Sequence, residues 1–134
     1  MGTFKDIDEV REFFSKDRYA TMSGMVVDDY GEDYSVCSVV LNDNHKNGYG
    51  GIMGGVMFTL ADFAFAVVSN NVHQSTVAQQ MSINYLSAPK GTKLIATAKL
   101  KKNGRTSTIV NIDVVDDTGR DIAQVVGTGF KLGV

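Results

Sequence analysis

The 134-residue sequence has one cysteine, one proline, two histidines and no tryptophan. The single Cys37 excludes a disulfide framework and any cysteine-rich metal site, and it suits a reducing compartment. His45 and His73 lie in polar, loop-like segments with no partner at metal-ligand spacing, so both read as surface residues. Excess charge of one sign is also missing. The 13 basic and 15 acidic residues leave a net charge of −2, which argues against a nucleic-acid binder driven by phosphate contacts. Lys5, Asp6, Asp8, Glu9 and Arg11 interrupt the apolar residues near the N-terminus, so no signal-peptide core is present there. These absences predict one cytoplasmic domain over 1–134, without a nucleic-acid or membrane partner and without a metal or redox cofactor.

Apolar residues make up 43% of the chain, enough to build a core at this length. The spacing of Ile7, Val10, Phe13 and Phe14 predicts a short amphipathic helix over 3–15, capped by Thr3. Two strands are expected over 24–41, split by the turn-rich stretch 28–33, with a polar loop over 42–51. Alternation predicts strands over 77–86 and 93–101, and the turn signals at Asn103-Gly104, a two-residue hairpin, and at 117–119 lead into two more over 106–115 and 121–132, the four read as a meander.

Between them, residues 54–69 predict a helix that is apolar on every face, interrupted only by Thr59 and Asp62. At 16 residues it falls short of the roughly 20 needed to span a bilayer, and it carries a carboxylate at its centre. It is therefore expected in a protein core. The fold class is α+β, an antiparallel sheet wrapped around one long central helix, with a short N-terminal helix.

Two features of that helix carry chemistry. Gly54 and Gly55 stand at its start, where backbone N–H groups lack intrahelical partners and face the positive end of the helix dipole. Such a site suits a phosphate, a carboxylate or a developing oxyanion; equally, the glycines serve close helix–sheet packing. Asp62 is a carboxylate in apolar surroundings, which raises its pKa towards that of a working base or marks a structural hydrogen bond. Asp62 lies roughly 10–12 Å along the axis from the glycines. Either the substrate is long, or two antiparallel copies of the helix each supply half of a site, which calls for a dimer.

Asn47, Gly50, Met53, Gly54 and Gly55, followed by Thr59-Leu60-Ala61-Asp62, resemble the signature of hotdog-fold acyl-CoA thioesterases of the PaaI type. The resemblance extends to the Asn-Tyr-Leu-Ser-Ala-Pro stretch at 84–89 and to the turns at 103–106 and 116–119. It implies a hotdog fold, and a homodimer or dimer-of-dimers homotetramer that hydrolyses acyl-CoA, with coenzyme A present only as part of the substrate. Asp62 would be the general base or nucleophile, the N–H of Gly55 or Gly54 would polarise the thioester carbonyl, and Asn47 would orient the water or bond the carbonyl.

Gly50, Met53, Gln79, Gln80 and Arg105 are the expected substrate-binding residues, with Arg105 near the phosphates of coenzyme A. In the family a His precedes the two glycines, where this chain has Met53, and a Ser or Thr often stands near the position of Ala78. Met cannot donate a hydrogen bond, which keeps open an alternative: a hotdog protein that binds acyl-CoA without turning it over. Met53→His is expected to raise thiol release from acyl-CoA; a flat or lower rate would show that this site does not lack an imidazole.

Overall fold

The computed structural model describes residues 2–134. Two short helices, α1 (Ile7–Phe14) and α2 (Arg18–Met22), lead into strands β1 (Val26–Tyr30) and β2 (Tyr34–Val40). A 3-10 turn at Asp43–His45 and an irregular loop precede the long helix α3 (Gly54–Val72). Four strands follow: β3 (Thr76–Tyr85), β4 (Lys93–Asn103), β5 (Ser107–Asp116) and β6 (Asp121–Lys131). All pair antiparallel in one sheet, in the order β1-β2-β4-β5-β6-β3.

Leu60, Ala61, Ala64, Phe65, Val67 and Val68 of α3 are buried in the core, where the helix packs against β2 to β6. At 19 residues α3 outruns its expected end at 69, and length and composition alone would let it cross a membrane. What places it in a protein core is its packing on the sheet. Its extra turn is held by tertiary bonds that a sequence window does not register. The Asn70 amide donates to the carbonyls of Ala66 and Thr76, and buried Asn71 accepts from Phe4 N–H and donates to the Gly31 carbonyl.

Several boundaries differ from expectation. Thr3 does not cap α1; its hydroxyl donates to the Asn70 carbonyl, and Asp6 accepts the Glu9 N–H as the cap. The helix α2 was not expected. His45 is buried rather than at the surface, because its Nδ1 accepts from the Asn42 N–H and its Nε2 donates to the Ser23 carbonyl 2.8 Å away. The β4–β5 hairpin tip is Arg105-Thr106 rather than Asn103-Gly104, since Asn103 still pairs with Thr108 and Gly104 N–H reaches the Ser107 carbonyl.

The largest difference is topological. Only β4, β5 and β6 form a meander, while β3 crosses to the far edge beside β6. Residues 86–92 make that crossing, and a buried carboxylate holds them. Asp116 accepts from the N–H groups of Lys90, Gly91, Thr118 and Arg120 and from the Thr118 hydroxyl. These donors, the Thr118 hydroxyl foremost, keep its carboxyl far below the usual range.

Helix and sheet meet closely at Gly129, where an added Cβ would stand 2.6 Å from Thr108 Oγ1, 2.8 Å from Thr76 Cγ2 and 3.1 Å from the Phe65 ring. Three neighbours on three elements cannot all yield. Gly129→Val is expected to destabilise the fold by about 1–3 kcal/mol, read from urea unfolding; an unchanged midpoint would contradict this packing.

Candidate active site

Among the positions of α3 that are not fully buried, four stand in register: Gly55 is exposed, and Thr59, Asp62 and Ala66 are half-buried. They recur at three- and four-residue spacing and so form one stripe along the helix. Gly55 and Asp62 are thus on the same side of α3, two turns and roughly 10 Å apart.

The two glycines divide the packing and chemical readings between them. At Gly54 a Cβ would stand 2.9 Å from the Tyr85 ring, so this residue is needed for contact between α3 and the end of β3. At Gly55 the nearest neighbour of a Cβ would be Met53 at 4.0 Å, which leaves open space. Among the described residues no acceptor meets the Gly55 N–H. Met53 caps the helix by backbone alone and is 56% exposed, so its thioether stands beside this open donor.

Asn47 organises the loop in front. Its Oδ1 accepts from the N–H groups of Tyr49 and Gly51, its own N–H reaches the Gly51 carbonyl at 2.7 Å, and its carbonyl accepts from Gly50 N–H. Gly50 closes that turn at φ +82°, a conformation that favours glycine. The two acceptor bonds fix the amide orientation and leave Nδ2 as its free donor among the described residues.

Asp62 makes no hydrogen bond or ion pair among the described residues, so the structural bond considered for it is not formed within this chain. It opens on a cleft of about 190 Å³ that Asp17, Arg18, Tyr19 and Thr59 also line. Burial, and then the charge of Asp17, push the Asp62 carboxyl above its ordinary value. Asp17 rims the cleft: its side chain does not cap α2, and partial desolvation raises its own carboxyl too. Sequence reasoning missed Asp17 because nothing in a linear pattern places residue 17 against residue 62.

The remaining expected residues lie elsewhere. Gln79 is the bulged residue of β3, between the pairs Ala78–Gly129 and Gln80–Thr128. Ala78 shares the helix-facing side with Gly129, and Gln80 shares the outer side with Thr128. Arg105 sits exposed at the β4–β5 tip, at the end of the sheet next to Lys131 and away from Gly54 and Tyr85. The thiol of Cys37 is buried, and burial pushes its pKa up, so it offers no nucleophile.

A long helix held in an antiparallel sheet, with a carboxylate and an open helix start on its uncovered stripe, defines a hotdog-fold protein. The family model of the thioesterase superfamily matches residues 49–123, and the chain belongs to that superfamily as a hotdog-fold enzyme of the PaaI type, one that hydrolyses thioesters.

Acyl-coenzyme A thioesterase PaaI of Escherichia coli is 26% identical over 121 residues, spanning 90% of this chain and 86% of PaaI. The PaaI structure superposes with a TM-score of 0.82 at 23% identity over 96% of this chain and 97% of PaaI. Human acyl-coenzyme A thioesterase 13 is 30% identical over 93 residues, 66% of each chain. A hypothetical thioesterase of Streptococcus pneumoniae, solved with coenzyme A, has a TM-score of 0.81 at 26% identity, covering 89% of this chain and 94% of its own.

A carboxylate that must be ionised to take a proton loses activity as pH falls through its pKa. Removing the Asp17 charge lowers the pKa of Asp62, so Asp17→Asn should move the acid limb of kcat/KM to lower pH. A limb that stays in place would mean that the two carboxylates do not interact.

Proposed function

We propose that the protein hydrolyses acyl-CoA to a free acid and coenzyme A, with Asp62 as general base, in a site completed by a second copy of the chain. The observation that carries this reading is the pair of unsatisfied groups on one stripe of α3. Asp62 has no partner among the described residues, Gly55 has an open N–H, and roughly 10 Å keeps one helix from bringing both to one carbonyl.

The sheet suggests how the halves meet. The outer side of β3 carries no strand among the described residues, and beyond the bulge at Gln79 its run from Gln80 to Tyr85 is a regular edge open to pairing. A second β3 added antiparallel would continue the sheet and run the two α3 helices in opposite directions, so that Asp62 of each copy approaches the helix start of the other. Arg105 would then stand at the same end as the partner's helix start, in reach of the coenzyme A phosphates. On the outer face, Val77, Val126 and Phe130 are exposed together, which suits back-to-back stacking of two dimers.

In the reaction Asp62 takes a proton from water as the oxygen bonds to the thioester carbon. The carbonyl electrons move onto oxygen, where the Gly55 N–H and the Asn47 amide stabilise the charge. When the oxyanion collapses, the C–S bond breaks, and the leaving thiolate takes the proton back from Asp62. The coenzyme A bound to the pneumococcal relative supports the same class of substrate.

Asp62→Asn is expected to lower turnover of acyl-CoA by about 10²- to 10⁴-fold. Its mass by light scattering should stay, like that of the parent, above the 14.5 kDa of one chain. Full activity in the variant, or a monomeric active parent, would defeat the shared-site reading.

A further inference from the structure

We propose that the cavity between α1, α2 and β1 takes the aliphatic chain of a medium- to long-chain acyl thioester whose carbonyl lies at Asp62. This rests on the acyl-CoA reading above and names its substrate class. The cavity measures about 540 Å³, and Phe14, Met25, Val26, Val27 and Phe63 give it an apolar lining. That is the size and character of a small-molecule site, and larger than one aromatic ring would fill.

Its position ties it to the chemistry. Phe63 lines both this cavity and the cleft of Asp62, and consecutive residues of α2 do the same, Ala20 on the cleft and Thr21 on the cavity. A carbonyl at Asp62 therefore sets the first carbons of its acyl group beside the Phe63 ring, with the cavity directly beyond. The ring is held edge-on against Phe14 at 6.0 Å, so these two aromatic side chains line the cavity on the side of Asp62 and suit contact with methylenes.

Three of the polar lining groups are engaged, since Arg11 Nε donates to the Val27 carbonyl at 2.9 Å and the Ser15 and Thr21 hydroxyls donate to the Glu12 and Asp17 carbonyls, while Asp28 is exposed to water. An alkyl chain seated there takes the exposed Val26 side chain out of water and extends the apolar contacts of Phe14, Met25 and Phe63.

The test is kcat/KM for acyl-CoAs from acetyl through dodecanoyl, with phenylacetyl-CoA beside them. Each methylene taken into the cavity should raise kcat/KM by up to about fourfold until the space is filled. Met25→Trp, which fills the cavity from its floor, should cut the dodecanoyl-to-acetyl ratio by about tenfold or more. Thr21→Phe, from the α2 side, serves where the first variant does not fold. A parent enzyme as fast on acetyl- or phenylacetyl-CoA as on dodecanoyl-CoA overturns the proposal, as does a ratio that neither variant changes. Absence of hydrolysis with every thioester would instead overturn the acyl-CoA reading itself.

Discussion

A helix that is apolar on every face has to be covered on nearly every side, and most of this structure follows from how α3 is covered. One sheet can wrap only part of a cylinder. All six strands touch α3, β1 least, and the glycines at 127 and 129 let the sheet approach Phe65 closely. The stripe that stays uncovered holds the small and polar residues Gly55, Thr59, Asp62 and Ala66. Asp62, the residue least suited to a core, is thus on the stripe that the core leaves out.

Around that stripe the chain brings together groups that are remote in sequence. Asp17 comes from the α1–α2 connection to face Asp62 across a small cleft, and its charge adds to burial in holding the Asp62 carboxyl up. Asn47 uses one side of its amide to shape the loop before α3 and keeps the other side free. Phe63, next in the chain to Asp62, turns to the opposite wall and borders the larger cavity. A half-buried carboxylate, an open helix start and an apolar cavity are then all referred to one helix. Asp116 does the corresponding service at the far side, fixing the crossing that carries the chain away from β3.

Much of this was legible beforehand. Period-two alternation marked β2, β3 and β4, turn signals marked β5 and β6, and the run from Gly54 marked the helix, since all these patterns arise from local geometry. Asp62 stood out because a carboxylate amid Leu60, Ala61, Phe63 and Ala64 conflicts with its surroundings. The misses share one cause. His45 sits in a polar stretch but is buried by bonds to Ser23 and Asn42; Asn70 and Asn71 look like a helix end but are held by β3, Phe4 and Gly31. In each case a partner distant in sequence overrides the local preference.

The sequence by itself determined which segments are strands, which is the central helix, and which residues on it are out of place in a core, because these depend on side chains within a turn or two of each other. The tertiary structure decided the rest. It sent β3 to the edge rather than beside β4, separated Gly54, which packs on Tyr85, from Gly55, which is open, and brought Asp17 to Asp62. Strand order, close approach and cleft lining depend on which surfaces meet once the apolar helix is covered, and no local pattern encodes that choice.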